Sequence, residues 1–541
     1  MSTLQLVLAQ INSLVGDIPG NTAQVVEVAR RAHREYGADL VLFPELTLCG
    51  YPPEDLLLRP SMYRRIESAL AQLLAAELPC AVLVGYPRAI DGAVFNMAGL
   101  IENGELVAEY AKQKLPNYQV FDEMRYFVPG DGPCVVDIKG IPTAITICED
   151  LWRPEPMEQA AAAGAKLMLN INASPFHRGK VGERLQLMGE RARAGKMPVV
   201  YSHWYGGQDE LVFDGASFAV DARGELRARA PEFVENLLPV TVEWNGGEAT
   251  LRGEIAPALE DLASVYQALV LGVRDYVNKN GFNGVVLGLS GGIDSALTLA
   301  IAVDALGAER VEAVMMPFRY TSDLSKNDAA DQAQRLGIRY RVISIEAIFD
   351  ACMQALAEEF AGSPRDTSEE NLQARARGML LMAISNKKGA MVLTTGNKSE
   401  LAVGYATLYG DMVGGYNALK DVPKTLVFEL ARYRNTISQV IPKTVITRPP
   451  SAELAPDQVD SDSLPPYDQL DQILNLYIER DCSAEEIIAR GFERETVERV
   501  VRLVDRNEYK RRQAAVGVRI SERGFGRDRR YPITNGWKAG E

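Results

Sequence analysis

Short apolar runs alternate with amphipathic segments along the whole chain. In the first half, the apolar runs predict buried strands at residues 4–11, 39–43, 81–84, 142–147, 166–170 and 199–202. Amphipathic segments predict helices at 22–35 and 62–76, and the turn residues within 218–225 predict a hairpin. Because strands alternate with helices, this half is expected to have an α/β fold.

A second α/β pattern follows a polar break at 244–248. Its apolar runs and amphipathic segments predict strands at 311–316, 340–345 and 390–395 and helices at 256–277, 324–336 and 372–386. This order is typical of a parallel sheet covered by helices. We therefore predict a first domain over 1–245, a linker over 246–258 and a second domain over 259–541. The acidic, proline-rich stretch 455–468 predicts a loop or a surface lid.

Composition narrows the class of protein. The 541 residues are 47% hydrophobic and 24% charged, as in soluble globular proteins. The net charge of −14 argues against nucleic acid as a partner, and no apolar run reaches the ~18 residues of a membrane span. The six cysteines form no C-x-x-C pair and the three histidines form no zinc-binding cluster. The chain starts without a basic, apolar leader, so we expect a cytoplasmic protein.

The most specific motif lies between an apolar strand pattern and a helix pattern. It reads Gly288-Leu289-Ser290-Gly291-Gly292-Ile293-Asp294-Ser295. Glycines allow a ligand to approach the backbone closely, and the free N–H groups of a helix start attract anions, so the motif predicts a phosphate site. The lysine of the common P-loop is missing. The S-G-G-x-D-S form resembles the PP-loop of ATP pyrophosphatases, which cleave ATP to AMP and pyrophosphate.

Three residues of the first half form a second motif. Glu45 and Cys148 each end an apolar strand pattern, and Lys112 follows another. Their contexts together resemble the nitrilase superfamily, whose carbon–nitrogen hydrolases have an αββα sandwich and a Glu-Lys-Cys triad. The resemblance implies that Glu45 is the general base and acid, Lys112 stabilises the oxyanion, and Cys148 is the nucleophile. A nearby ammonium favours the reactive thiolate, and a carboxylate can carry its proton. Lys114 is a second candidate for the lysine, although the K-x-x-L spacing favours Lys112.

Further residues of this half resemble a glutamine pocket. The stretch that begins Asn172-Ala173-Ser174-Pro175-Phe176 is similar to one in relatives that use glutamine. The resemblance implies that the α-amino and α-carboxylate groups of glutamine are held by Tyr118, Ser174 and Lys180. Glu123 is a candidate supporting carboxylate, with helix capping or solvation as the alternative.

The second half resembles NAD synthetases over the stretches 371–377, 394–400, 404–411, 448–454 and 508–513. The resemblance implies that ATP is bound by Gly288, Leu289, Ser290, Gly291, Gly292, Ile293, Asp294, Ser295, Thr395, Lys424 and Ser451. It implies that deamido-NAD is bound by Asn371, Arg377, Glu400 and Lys510. Asp294 and Glu400 would hold Mg²⁺, a hard cation that prefers oxygen ligands. Arg375 is an alternative to Arg377, and the sequence does not separate them.

The two halves together resemble the glutamine-dependent NAD synthetases. The resemblance implies that glutamine supplies ammonia, and that ATP drives amidation of deamido-NAD to NAD with release of AMP, pyrophosphate and glutamate. It also implies Mg²⁺ as cofactor, ATP as co-substrate, a homo-oligomer and an internal ammonia tunnel, with no nucleic-acid or membrane partner. Two alternatives stay open. One is a PP-loop amidotransferase with a different acceptor, and the other is a nucleotide sensor that has lost turnover.

Overall fold

A computed structural model describes residues 2–455, 460 and 464–537. The chain divides into two compact units, which comprise residues 1–208 with 212–260 and residues 209–211 with 261–541. Half of the loop or lid expected at 455–468 lies outside the described residues, at 456–459 and 461–463. In the described part of the chain, no helix combines the length and apolar character that crossing a bilayer requires.

The first 253 residues form most of the strands of the molecule. These strands are β1 (Ser2–Gln10), β2 (Leu40–Leu42), β3 (Ala81–Ile90), β4 (Ala93–Glu102), β5 (Glu105–Ala111), β6 (Cys134–Ile138), β7 (Ile141–Ile147), β8 (Leu167–Asn172), β9 (Val199–His203), β10 (Tyr205–Gln208), β11 (Leu211–Asp214), β12 (Phe218–Val220), β13 (Leu226–Arg229), β14 (Asn236–Trp244) and β15 (Ala249–Gly253). The α-helices are α1 (Ile18–Tyr36), α2 (Pro60–Ala75), α3 (Glu155–Ala162) and α4 (Lys180–Gly195). Local chemistry fixes their ends: Asp17 caps the start of α1, and Gly37 ends it in the left-handed conformation.

Two sheets face each other in the first unit. Within the described residues, their strand orders are β15-β14-β1-β2-β3-β4-β5 and β13-β12-β9-β8-β7-β6. Apolar side chains from both sheets, such as Leu6, Leu42, Ile145 and Leu169, form one buried core. Helices α1 and α2 pack on the first sheet, and α3 and α4 pack on the second. This arrangement confirms the αββα sandwich.

The predicted linker differs from the structure. Residues 244–248 form the turn of a hairpin, in which the side-chain oxygen of Asn245 accepts hydrogen bonds from the N–H groups of Gly247 and Glu248 at 2.9 Å. Strand β15 follows within the proposed linker and pairs with β14, which in turn pairs with β1. Buried Ala249 and Leu251 alternate with exposed neighbours, so a strand pattern is present but too short to stand out.

The second unit contains a single main sheet. Its strands are β16 (Val285–Gly288), β17 (Val311–Met315), β18 (Arg339–Val342), β19 (Met391–Thr394), β20 (Tyr416–Asn417) and β21 (Val516–Gly517). Its helices are α5 (Asp261–Lys279), α6 (Ile293–Leu306), α7 (Asp323–Leu336), α8 (Glu346–Ala355), α9 (Thr367–Lys388), α10 (Lys398–Val403), α11 (Lys424–Ile437), α12 (Lys443–Thr447), α13 (Tyr467–Leu474), α14 (Ala484–Ile488), α15 (Arg494–Arg506) and α16 (Glu508–Arg511).

The strands of this sheet run in the order β18-β17-β16-β19-β20-β21, and each neighbouring pair is parallel. The parallel sheet expected from the sequence is therefore confirmed. In parallel sheets, ligands bind at the carboxyl ends of the strands, where loops from several strands converge. The turn from β16 to α6 carries the motif 288–295 at this edge.

Candidate active sites

Glu45 lies just after β2 and is completely buried. One carboxylate oxygen accepts hydrogen bonds from the amide of Asn96 at 2.8 Å and from the ammonium of Lys112 at 2.7 Å. The other oxygen accepts a hydrogen bond from the backbone N–H of Ala173 at 3.1 Å. Three groups from distant parts of the chain thus fix this carboxylate in one orientation.

Lys112 follows β5 and lies between two carboxylates. Its ammonium is 2.7 Å from Glu45 and 2.8 Å from both oxygens of Glu123, and its side chain is 0% exposed. Burial alone would lower the pKa of Lys112, but the charges of Glu123 and Glu45 outweigh it and hold the pKa well above its usual range. The alternative, Lys114, has a side chain that is 33% exposed and pairs with Glu155 at 3.5 Å. The geometry therefore favours Lys112.

For Glu123, the sequence left three roles open: a supporting carboxylate, a helix cap or a solvated side chain. Glu123 is 6% exposed, and the hydroxyl of Tyr51 donates to it at 3.2 Å in addition to the Lys112 contacts. Burial raises its pKa to about 7, while Lys112 opposes the rise. Neither helix capping nor solvation describes this side chain, because it is buried against an ammonium.

Cys148 starts a short 3-10 helix, Cys148–Trp152, at the carboxyl end of β7. Its φ of +45° is a strained conformation for a residue with a side chain. The carboxylate of Asp150 supports the turn by accepting from the N–H groups of Ile147 at 2.9 Å and Lys114 at 2.8 Å. Burial raises the pKa of the Cys148 thiol well above its usual range, Glu45 adds to the rise, and Lys112 opposes it. Burial therefore favours the neutral thiol of Cys148.

The residues expected to bind glutamine have partners in the same unit. The Tyr118 hydroxyl donates to Glu149, the neighbour of Cys148, at 2.8 Å. The Lys180 ammonium lies 3.8 Å from the centre of the Trp152 ring, at the end of the same 3-10 helix. The N–H of Ser174 lies 3.1 Å from Nε2 of His203. Tyr118 and Lys180 therefore contact residues of the 3-10 helix that begins at Cys148.

A cavity of about 520 Å³ lies in the second unit. It is lined by most of the residues predicted for ATP, which are Gly288, Leu289, Ser290, Gly292, Ile293, Asp294, Ser295, Thr395, Lys424 and Ser451. It is also lined by Arg377 and Glu400 from the set predicted for deamido-NAD. The structure thus brings residues of both predicted sets to one cavity.

The backbone of the turn at 288–295 lies close to neighbouring groups. Gly291 has a φ of +81°, and a Cβ there would lie 2.4 Å from the carbonyl oxygen of Ser325. The Ser290 hydroxyl accepts a hydrogen bond from the N–H of Gly292 at 3.1 Å and lies 3.1 Å from the Ser295 hydroxyl. Because α6 starts at Ile293, its first N–H groups face this turn, as an anion site requires.

Lys424 lies between two carboxylates that line the cavity. Its ammonium is 2.5 Å from Asp294 and 3.0 Å from Glu400. Burial raises the pKa of Glu400 to about 7, and Lys424 lowers it. Burial would lower the pKa of Lys424, but Asp294 and Glu400 hold it well above its usual range. Like the cluster around Lys112, this cluster joins one lysine to two carboxylates.

The structure separates the two candidate arginines. Arg377 lines the cavity and donates to the carbonyl of Met316 at 3.0 Å. Arg375 is exposed and donates to the carbonyl of Leu408 at 3.2 Å, outside the lining.

Gly291 of the ATP set and two residues predicted for deamido-NAD, Asn371 and Lys510, lie outside the cavity lining. Asn371 accepts a hydrogen bond from the Thr407 hydroxyl at 2.8 Å. Lys510 donates to the carbonyls of Gly404 and Ala406, each at 2.8 Å. Neither residue contacts the turn at 288–295 directly.

Arg448 and Glu453 line the cavity, and neither residue was assigned a role from the sequence. Arg448 donates to the carbonyl of Gly291 inside the phosphate-type turn and to the Ser325 hydroxyl at 3.0 Å. Glu453 accepts from the hydroxyls of Ser322 at 2.8 Å and Ser325 at 2.7 Å. Both lie in the stretch 448–454, whose charged residues flank two prolines and so carry no periodic signal.

Comparison with known proteins matches each of the two units to a different family. The carbon–nitrogen hydrolase family matches residues 6–250, and the NAD synthase family matches residues 265–514. The first unit is thus of the carbon–nitrogen hydrolase class and the second of the NAD synthase class.

Full-length relatives combine both classes. The glutamine-dependent NAD(+) synthetase of Acinetobacter baylyi is 51% identical over 99% of both chains, and that of Xanthomonas campestris is 50% identical over 99% of this chain and 98% of the relative. The structure of the Acinetobacter baumannii enzyme in complex with ADP is 49% identical, covers 100% of both chains and has a TM-score of 0.81. The chain belongs to the family of glutamine-dependent NAD(+) synthetases.

Proposed function

We propose that this chain makes NAD from deamido-NAD with ATP and with ammonia that it takes from glutamine. The observation that carries the proposal is the presence, on one chain, of a buried Glu45–Lys112–Cys148 cluster and of a separate cavity lined by most of the residues 288–295. The first is suited to amide hydrolysis, and the second to a nucleotide.

In the first unit, the Glu45 carboxylate takes the proton of the Cys148 thiol as its sulfur attacks the amide carbonyl of glutamine. The Lys112 ammonium stabilises the oxyanion that forms. Glu45 returns the proton to the departing nitrogen, so ammonia leaves and a thioester remains. Water then attacks the thioester, with Glu45 again as base, and releases glutamate and the free thiol. The raised pKa of Cys148 means that the thiolate exists only while this proton is transferred.

In the second unit, an oxygen of the deamido-NAD carboxylate attacks the α-phosphorus of ATP, and pyrophosphate leaves. Ammonia then displaces AMP from the mixed anhydride and forms the amide of NAD. The N–H groups at the start of α6 hold phosphate oxygens, and the Lys424 and Arg377 side chains supply positive charge in the same cavity. Ser290, Thr395 and Ser451 supply hydroxyls there.

Mg²⁺ fits the donor set of this cavity. Asp294 and Glu400 already share one cation, the Lys424 ammonium, and carboxylate oxygens are the ligands that Mg²⁺ prefers. Among the described residues, no group of three or more acidic, histidine or cysteine side chains could hold a metal by itself. Phosphate oxygens of the nucleotide would therefore complete the ligand set, and the ion would offset charge on the departing pyrophosphate.

The proposal extends to features that stay predictions. Asn371 and Lys510 contact deamido-NAD, the protein is a cytoplasmic homo-oligomer, and ammonia passes internally between the two reactions. Each follows from the family to which the chain belongs.

Product analysis tests the proposal. Purified protein is incubated with deamido-NAD, ATP, Mg²⁺ and glutamine, and NAD, AMP and glutamate are measured together. We expect all three in near-equal amounts. Glutamate without NAD or AMP would contradict the proposed acceptor and favour another PP-loop amidotransferase. Bound ATP without AMP release would favour a nucleotide sensor.

A further inference from the structure

Arg184 is a fully buried charged side chain in the first unit that the proposed chemistry does not use. It lies on α4, and its side chain is 2% exposed. Its guanidinium donates to the carboxylate of Asp214, which is 0% exposed, and its Nε donates to the carbonyl of Lys180 at 3.4 Å. Burying such an ion pair is costly, so it needs good geometry and further hydrogen bonds to be tolerated.

His203 completes this cluster and connects it to Ser174. The guanidinium lies 3.0 Å from Nε2 of the His203 ring, and the carbonyl of Gly215 lies 2.8 Å from Nδ1. Nε2 is also 3.1 Å from the N–H of Ser174 and 2.9 Å from its carbonyl oxygen. Either neutral tautomer therefore engages the backbone of Ser174, by accepting its N–H or by donating to its carbonyl.

The ring stays neutral in this setting. Burial lowers the pKa of His203 to about 3, and the charge of Arg184 contributes to the lowering. A neutral ring keeps one nitrogen as an acceptor, which a protonated ring would lose. The arginine thus holds the histidine in the form that can accept the Ser174 N–H.

We infer that Arg184, with Asp214 and His203, is a positioning group for the part of the site that recognises the α-amino and α-carboxylate groups of glutamine. Its Nε holds the backbone of Lys180, and through His203 it holds the backbone of Ser174. These are the two residues of the stretch 174–180 to which glutamine binding is assigned, so the inference rests on the proposed function. Arg184 itself does not touch Glu45 or Cys148 in any hydrogen bond of the described structure.

How well such a site binds its substrate depends on how accurately the recognising groups are positioned. Groups that recognise a substrate have to be held within about 0.5 Å of the productive geometry by neighbours that are themselves fixed. Ser174 and Lys180 are six positions apart in sequence and are joined by a loop and the start of α4. The guanidinium is planar and presents several donors in fixed directions, so it can hold both ends at once, which an ammonium cannot do.

The test compares steady-state kinetics of three folded variants with those of the wild type. Arg184→Met combined with Asp214→Asn removes both charges and avoids leaving one buried alone. Arg184→Lys keeps the charge but loses the planar set of donors. Arg193→Met is the matched control, because Arg193 lies on the same helix with an exposed side chain.

We expect the double variant to raise the KM for glutamine by about tenfold to a hundredfold, with kcat at saturating glutamine within about threefold of the wild type. The glutamine KM of Arg184→Lys should lie between those of the wild type and the double variant, and the glutamine KM of Arg193→Met should match that of the wild type. NAD formation from added ammonia should be unchanged in all of them, because it does not need the glutamine site.

Two results would overturn the inference. One is a folded double variant with the glutamine KM of the wild type. The other is a fall in kcat with an unchanged KM, which a general loosening of the first unit would produce. Failure of the proposed function would be distinguishable from failure of the inference. In that case the wild-type protein itself would form no glutamate from glutamine.

Discussion

Both units contain a lysine that joins two carboxylates, but the two clusters have different surroundings. In the first, Lys112 contacts Glu45 and Glu123, and the side chains of all three are between 0% and 7% exposed. In the second, Lys424 contacts Asp294 and Glu400, whose side chains are each 17% exposed and line a cavity of about 520 Å³. In each cluster burial raises the pKa of one carboxylate, Glu123 or Glu400, to about 7.

The difference between the clusters matches the chemistry proposed for each. In the buried cluster, Lys112 stays between its two carboxylates, so its charge is in place for an oxyanion without any rearrangement. A cluster that faces a cavity can exchange partners, so the carboxylates that now contact Lys424 can meet Mg²⁺ when a nucleotide brings it. Under the proposed function, a lysine with two carboxylates thus acts as a fixed charge in the first unit and as an exchangeable ion site in the second.

Cys148→Ala should have the largest effect and should affect only one of the two sites. Without the nucleophile, NAD formation from glutamine should fall by at least about a thousandfold, while NAD formation from added ammonia stays near the wild-type rate. The measurement is the rate of NAD formation with each nitrogen source. Cys134→Ala, at a half-buried cysteine, is the control and should change neither rate. If the folded Cys148→Ala protein lost both activities, the assignment of two separate sites would be wrong.

Lys112→Met and Lys114→Met compare the two candidate lysines of the first cluster. Lys112→Met should lower the rate of glutamate formation by about a hundredfold to a thousandfold, because the oxyanion loses its charged partner. Lys114→Met should stay within about twofold, because a half-exposed ion pair contributes little. Glutamate release from glutamine is the readout. Equal losses in the two variants would show that burial of Lys112 does not mark the catalytic lysine.

Arg377→Met and Arg375→Met make the corresponding comparison in the second unit. Loss of a charged hydrogen-bond donor that lines the cavity should raise the KM for a nucleotide substrate by about tenfold to a hundredfold. Arg375→Met should leave that KM unchanged, because its side chain lies outside the cavity lining. Ammonia-dependent NAD formation at varied ATP and deamido-NAD is the measurement. A rise in KM only for Arg375→Met would reverse the choice that the geometry favours.

Lys424→Met and Lys112→Met test directly whether the clusters differ in access to ions. Each change leaves two carboxylates without their cation, so each should lower the free energy of unfolding, by about 3–5 kcal/mol for the sealed pair. Added Mg²⁺ should raise the midpoint temperature of thermal unfolding of Lys424→Met part of the way back to the wild-type value, because an ion that binds only the folded state stabilises it. It should restore nothing in Lys112→Met.

The control for this comparison is the wild type with and without a chelator. Similar responses to Mg²⁺ in the two variants would mean that the cavity of the second unit gives its carboxylates no special access to ions.

Glu123→Gln and Glu400→Gln give the smallest effect, in the pH dependence of stability. Because both pKa values are raised from 4.5 to about 7, the folded protein holds protons that the unfolded chain has released across this window. The free energy of unfolding therefore falls as pH rises from 4.5 to 7. Each glutamine variant should flatten that slope, by up to about 1.4 kcal/mol per pH unit.

Magnesium should separate the two variants again. An ion on Glu400 competes with its proton, so Mg²⁺ should reduce the part of the slope that Glu400→Gln removes and leave the Glu123 part unchanged. Thermal unfolding at a series of pH values, with and without Mg²⁺, measures this. A slope unaffected by Glu123→Gln would mean that Glu123 is ionised throughout the window.

The sequence pattern predicted an α/β fold for both units because their strands are apolar and their helices amphipathic over many residues, and the αββα layering came from the resemblance to the nitrilase superfamily. It missed β14 as a partner of β1 and β15 as a partner of β14, since pairing between residues such as Leu6 and Val240 depends on contacts far apart in the chain. Strand β15 in particular has only two buried apolar positions, Ala249 and Leu251, which is too short a pattern to distinguish from a turn.

Site residues were predictable where a motif is local. The turn at 288–295 is continuous in sequence, so its place between β16 and α6 follows from the pattern. The sequence favoured Lys112 over Lys114 only through the K-x-x-L spacing of the family it resembles, and the structure adds the buried contacts of Lys112 with Glu45 and Glu123. Arg448 reaches Gly291 from a segment more than a hundred residues away, and no local pattern marks it.

Transfer of nitrogen from one reaction to the other is the central claim, and labelled glutamine tests it most directly. The protein is supplied with deamido-NAD, ATP, Mg²⁺ and glutamine that carries ¹⁵N in its amide, and the mass of the product is measured. We expect NAD that carries the label, in an amount that matches glutamate and AMP. Unlabelled NAD, or glutamate released while deamido-NAD stays unchanged, would contradict the account.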